Sequence, residues 1–239
     1  MSGPECCSNP PTLNPNAGAG RVEEVGGIDT YVTGSANSKL AVLLISDVFG
    51  YEAPNLRKLA DKIAAAGYYV VVPDFLHGDP LVPEKADRPI SVWIKDHPQE
   101  KGIEVAKPVI EAVKGKGVSA IGAVGFCWGA KVVTDVARHG LINVAAILHP
   151  SFVTVDDIKS AEIPILILGA EQDKISPPEL IRQFEQILST KPAVPSSVKI
   201  FPQVAHGWTV RYNTEDAKAV SAAEEAHQDL LAWFAKHLK

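Results

Sequence analysis

The chain has 239 residues, 46% hydrophobic and 21% charged, which is enough apolar material for one sizeable core of the larger α/β kind. Its 23 basic against 28 acidic side chains give a net charge of −5, so no overall positive field exists for nucleic acid or anionic lipid. The three cysteines, Cys6, Cys7 and Cys127, make neither a spaced disulfide framework nor a C-x-x-C metal pattern, and no apolar run nears the roughly 18 residues of a membrane span.

The opening, MSGPECCSNPPTLNPNAGAG, has no basic segment followed by an apolar one and begins Met-Ser-Gly rather than Met-Gly. Neither a secretory signal nor N-myristoylation is expected, and the reading is a soluble cytoplasmic protein. Residues 1–20, rich in Pro, Gly, Asn and Ser, read as a flexible tail or a surface strap in which Cys6 and Cys7 are exposed and incidental. Residues 21–239 read as one domain, since no repeat or linker divides them.

LAVLLIS (40–46) is a continuous apolar run, as a strand buried on both faces should be. A helix follows over 53–67, with Leu56, Leu59, Ile63 and Ala66 at helical spacing and Gly67 as its stop. YYVVVPDF (68–75) is the next strand. Residues 102–117 read as a helix that Pro108 should kink or whose true start it should mark. A strand over 120–126 leads into a helix over 129–140, and strands follow over 143–150, 163–170 and 197–202. Helices are expected near 178–188 and over 219–238. This alternation predicts an α/β fold, with a mostly parallel central sheet and helices on both faces. In such folds function gathers where loops leave the carboxyl ends of strands, which here are Asp47 to Gly50, His77, Cys127, His149, Asp173 and His206.

Gly125-Phe126-Cys127-Trp128-Gly129 is G-x-C-x-G at a predicted strand-to-helix junction. A tight turn there strains its central residue, and flanking glycines let the backbones approach, lifting the side chain clear of the sheet. The N-terminus of the following helix favours a thiolate, and its amides suit an oxyanion. The bland alternative is a small buried hydrophobe at a strand end. A cysteine nucleophile needs a base, and the base an orienting acceptor. Asp173 just past strand 163–170 and His206 just past strand 197–202 follow in the order nucleophile, acid, histidine. Singly each is ordinary loop material; at three strand ends together they form a specific pattern.

These segments resemble the dienelactone hydrolase family of α/β-hydrolases, in particular its eukaryotic carboxymethylenebutenolidase-like members. The matching stretches are DVFGYEAPNLRKLADKIAAAGYYVVVPDF (47–75), GFCWGA (125–130), ILGAEQDKISP (167–177) and AHGWTVR (205–211). The resemblance implies a Cys127–His206–Asp173 triad forming a thioester, without a metal or organic cofactor. It implies an acidic partner for the resting thiol at Asp47, where the bacterial type has glutamate. It also implies oxyanion donors at the backbone N–H groups of Val48 and Trp128. The bacterial arginine in the loop after the P-D segment is missing from Phe75-Leu76-His77-Gly78-Asp79, while Arg211 lies one residue further from the histidine than in the bacterial pattern. These departures point to a bulkier or less acidic ester or lactone than dienelactone. Phe49, Tyr51, Trp93 and Trp208 are its candidate pocket walls, and Arg211 is a candidate holder of an anionic group; ordinary core packing is the competing reading of the aromatics. His77 and His149 have no ligand pattern around them, and Lys131 reads as a surface charge.

The main expectation is hydrolysis of a small ester or lactone by a monomer or weak homodimer, with no nucleic-acid or membrane partner. One rival is a glycoside hydrolase, since some plant relatives carry a β-glucanase label; Asp47 and Asp173 would then be its two carboxylates, roughly 5–9.5 Å apart. Others are a ligand-binding protein on the same scaffold, lactone isomerisation and acyl transfer.

Overall fold

The computed structural model describes residues 8–239. Eight strands form one sheet: β1 (Arg21–Val25), β2 (Ile28–Thr33), β3 (Leu40–Ile45), β4 (Tyr69–Pro73), β5 (Ala120–Phe126), β6 (Val144–Leu148), β7 (Ile165–Gln172) and β8 (Ser196–Ala205). Their spatial order is β1-β2-β4-β3-β5-β6-β7-β8. β2 runs antiparallel to β1 and β4, and every pair from β4 to β8 is parallel. The α/β fold expected from the alternating pattern, a mostly parallel central sheet with helices on both faces, is the fold observed.

Among the described residues the α-helices are α1 (Pro54–Ala65), α2 (Ile90–Asp96), α3 (Gly102–Gly115), α4 (Trp128–Arg138), α5 (Val155–Lys159), α6 (Pro178–Ser189) and α7 (Ala217–His237). Because successive strand residues point to opposite faces, the continuous apolar runs feed two cores. Leu43, Ile45, Val71, Ala123, Ile147 and Ile167 face α3, α4 and α6, against Val105, Val109, Val132, Val136 and Phe184. Val42, Leu44, Val70, Val72, Val124 and Leu166 face α1 and α7, against Leu56, Leu59, Ile63, Leu230 and Phe234. Either layer removed would expose one whole face of the sheet, so both are obligatory.

The elements differ from the sequence reading in two respects. The β1–β2 hairpin and α2 were not legible: β1 and α2 are largely exposed, and β2, buried only over Thr30–Val32, carries no continuous apolar run. α3 begins at Gly102 and passes through Pro108 rather than starting there, at the expense of one intrahelical hydrogen bond. The N-terminal segment, read as tail or strap, lies over residues 8–20 as a strap fastened across the domain. The buried Arg57 guanidinium donates to the carbonyls of Pro15 (2.6 Å) and Ala17 (3.3 Å). Ala19 N–H donates to Asp61 and Gly20 N–H to the Tyr31 hydroxyl, both at 2.8 Å. A Pro-rich segment has no ladder of its own, so these side chains satisfy its backbone. Cys6 and Cys7 lie outside the described residues.

Candidate active site

β5 ends where α4 begins, and Cys127 occupies the corner with φ 51° and ψ −111°, a conformation costly for a side-chain-bearing residue. The flanking glycines explain how it is held. A Cβ on Gly125 would lie 2.3 Å from the Gly129 carbonyl oxygen, and one on Gly129 would lie 2.3 Å from that of Ile45. The elbow therefore closes only without side chains at those two positions. Cys127 is the N-cap residue of α4 and so sits at the helix's positive end. The side chain is wholly buried. Its Sγ lies 3.3 Å from Ser151 Oγ, and Ser151 N–H donates to the Cys127 carbonyl at 3.0 Å.

Asp173 and His206 meet for a topological reason. Gln172 of β7 pairs with Ala205 of β8, so the next residue on each strand leaves the sheet beside the other. His206 Nδ1 lies 2.7 Å from Asp173 Oδ2, with both side chains excluded from solvent. The other Asp173 oxygen accepts the N–H groups of Ile175 (2.8 Å) and Ser176 (3.1 Å), which fixes the carboxylate's orientation. Burial works against a charged His206 ring, but its proximity to Cys127 and its hydrogen bond with Asp173 outweigh that and push the ring up to about 9. The ring is thus cationic at neutral pH, coupled to the acid and to the cysteine.

Asp47, two residues past β3, is buried. Its Oδ1 accepts the Phe49 N–H at 2.9 Å, and its Oδ2 forms an ion pair with Arg211 Nε at 3.1 Å. Burial raises the carboxyl, while Arg211, the Phe49 N–H and His206 draw it back down. These described partners of Asp47 are Phe49 and Arg211 rather than the thiol that the resemblance implied for it. Arg211 also donates to the Ser8 carbonyl at 2.7 Å and lies 5.4 Å from the centre of the Phe49 ring. Gly207, at φ +88°, makes room for it: a Cβ there would sit 2.2 Å from the guanidinium. Val48 is anchored through its carbonyl to Leu81 N–H at 2.8 Å. Trp128 is the first residue of α4, where a backbone N–H has no acceptor within the helix.

Two cavities adjoin these residues. One, of about 600 Å³, is walled by Phe49 and Tyr51 together with Leu13, Asp74, His77 and Pro80. The other, of about 550 Å³, includes His206, Trp208, Arg211 and Tyr212. Trp93 instead stacks on His97, ring centres 4.2 Å apart, and its Nε1 donates to the Asp79 carbonyl at 2.9 Å. Lys131 is not a free surface charge, for it bridges Asp135 (2.7 Å) and Asp157 (2.9 Å).

Two neighbours of the cysteine and histidine had no role in the sequence reading. One is Ser151. The other is His149, a buried left-handed residue (φ 38°) whose ring meets the His206 ring edge-on, centres 5.1 Å apart. Its Nε2 pairs with Thr209 Oγ1 at 2.7 Å. Burial first, then the charges of His206 and Arg211, holds it well below its ordinary value, so it stays neutral. The available signal was the His149-Pro150-Ser151 turn at the end of β6, in the same layer as the other strand ends.

The profile of the dienelactone hydrolase family matches residues 28–238. The chain belongs to that family. It is a hydrolase-family chain, and among its relatives is an endo-1,3;1,4-β-D-glucanase of Zea mays, 43% identical over 80% of this chain. This chain spans 64% of that maize protein's length. A carboxymethylenebutenolidase homologue of Mus musculus is 32% identical, with 92% of each chain covered. A Klebsiella pneumoniae crystal structure, provisionally named a dienelactone hydrolase, superposes with a TM-score of 0.69 over 88% of this chain and 93% of its own. At 21% identity that likeness speaks for the fold alone. Among the described residues, no helix is long and apolar enough to cross a membrane.

Proposed function

We propose that the chain hydrolyses a small ester or lactone, with Cys127 as nucleophile, His206 as acid and base, and Asp173 as its orienting partner. The observation that carries the reading is the geometry: Cys127 in the strained turn at the start of α4, and the buried His206 held at 2.7 Å by Asp173. An imidazolium beside a thiolate is the resting state of an activated cysteine.

The reaction then runs in two steps. The Cys127 thiolate attacks the acyl carbon, and the backbone N–H groups of Val48 and Trp128 receive the developing oxyanion. His206 gives its proton to the departing alkoxide, leaving a thioester and a neutral ring. A water passes one proton to His206 Nε2 and adds as hydroxide to the thioester; the acid departs and the thiolate–imidazolium pair is restored. Asp173 prevents the ring from turning between these transfers. Phe49 and Tyr51, with Trp208 on the other side, suit an apolar acyl or alcohol group. Arg211 suits an anionic one only if a substrate carboxylate displaces Asp47 from it. No bound metal ion or organic cofactor enters either step.

A glycosidase reading, suggested by the maize relative's name, gives Cys127 no part. Its two carboxylates are also committed elsewhere: Asp173 to His206, Ile175 and Ser176, and Asp47 to Arg211 and Phe49. Hydrolysis of p-nitrophenyl acetate by wild type and by Cys127→Ala tests the proposal. Activity should vanish in the alanine variant; full activity in a folded Cys127→Ala would overturn it. Release of sugar from mixed-linkage glucan that survives Cys127→Ala would favour the glycosidase.

A further inference from the structure

We infer that the Ser151 hydroxyl is a further catalytic group, a hydrogen-bond donor that stabilises the Cys127 sulfur whenever it is anionic. This rests on the reading of Cys127 as the nucleophile. Ser151 Oγ lies 3.3 Å from Sγ, within reach of a sulfur hydrogen bond, and both residues are wholly buried. Between a thiol and a hydroxyl either atom can donate; toward a thiolate only the hydroxyl can. A charge-assisted bond of that kind is stronger than a neutral one, the more so where water is excluded.

The placement of this hydroxyl is over-determined. The chain leaves β6 through His149 in a left-handed conformation, which reverses its direction and brings Ser151 beneath the elbow. Ser151 N–H is tied to the Cys127 carbonyl at 3.0 Å, and Cys127 N–H is tied to the Leu148 carbonyl at 3.2 Å. The intervening Pro150 carbonyl accepts the Ser176 hydroxyl at 2.6 Å, and Ser176 N–H donates to Asp173. One short turn thus links the nucleophile's backbone to the loop that carries the acid. The donor is held at the sulfur by bonds that do not depend on substrate, which is the condition for a preorganised electrostatic contribution.

Ser151 would act at two moments. Before acylation its O–H···S⁻ bond raises the thiolate fraction beside His206. During deacylation, as the thioester carbon–sulfur bond breaks and the electron pair returns to sulfur, the same hydroxyl receives the developing charge. Its proton stays on oxygen throughout, so no further co-reactant is required.

The test titrates the Cys127 thiolate by its ultraviolet absorbance, as the difference between each protein and the same protein carrying Cys127→Ala. This subtracts Cys6 and Cys7 and needs no turnover. Ser151→Ala should raise the thiolate midpoint by about one pH unit, a tenfold loss of thiolate at fixed pH, and Ser151→Thr, which keeps the hydroxyl, should restore it. If alanine does not fold, Ser151→Gly removes the same hydroxyl and should give the same rise. A midpoint unmoved in the folded variant, or a rise that threonine does not reverse, overturns the inference. Failure of the nucleophile reading would show separately, as ester hydrolysis that survives Cys127→Ala.

Discussion

Replacing Arg211 by Met, which keeps much of the side chain's length and removes its charge, isolates the buried ion pair beside the site. Arg211 and Asp47 meet at 3.1 Å, with side chains only 1% and 4% exposed. At that separation and an effective dielectric constant near 20, the attraction is about 5 kcal/mol. Desolvation offsets part of it, and breaking such a pair from one side costs about 3–5 kcal/mol because the remaining charge is left buried. The lost bond to the Ser8 carbonyl adds about 1 kcal/mol. Burial already raises Asp47, and without Arg211 it rises further. A carboxyl whose folded value lies above its unfolded one destabilises the fold as pH climbs past the unfolded value, and the cost is complete above the folded value. Arg211→Met should therefore lose more stability at pH 8 than at pH 5 in denaturant titrations. Adding Asp47→Asn should recover most of the loss, since it removes the stranded charge. An equal loss at both pH values, with no recovery in the double variant, would refute the reasoning.

Asp173→Asn removes the charged acceptor of His206, so the ring should fall from about 9 toward its ordinary value; ester hydrolysis should drop roughly 10²–10⁴-fold, with its alkaline limb moved to lower pH. An unmoved limb would mean that Asp173 does not set the ring's protonation. His227, bonded through Nε2 to the Thr209 carbonyl at 2.8 Å, is lowered to about 4, chiefly by burial. Its unfolded form takes a proton that the folded form refuses, so stability is full above about 6.5 and falls as pH drops toward 4. His227 contributes about 3 kcal/mol to that fall, and thermal melts should show a flatter acid slope in His227→Gln.

The central strands were legible because a strand buried on both faces must be apolar throughout, and LAVLLI, VVV and VAAIL are. The elbow was legible because two backbones can approach only at glycine, which left G-x-C-x-G as a local imprint of a tertiary contact. Asp173 and His206 could be picked from their positions after strands, since adjacent parallel strands end together. The Arg211–Asp47 pair was not legible: 164 positions separate the two, and no local rule tells a guanidinium which carboxylate it will meet. Ser151 was hidden for a similar reason. Its proximity to Cys127 follows from the left-handed conformation of His149, and the His149-Pro150-Ser151 turn marks a strand end without showing which side chain it carries to the cysteine. Composition alone left the N-terminal segment as tail or strap, because what fastens it is Arg57, on a helix elsewhere in the chain.

The most direct measurement is mass spectrometry of the protein quenched in acid during turnover of a slowly deacylating aryl ester. If Cys127 is the nucleophile, the acyl mass appears on the peptide containing Cys127 and disappears in Cys127→Ala. An acyl group found instead on Ser151, or ester hydrolysis with no acylated peptide in either protein, would contradict the account.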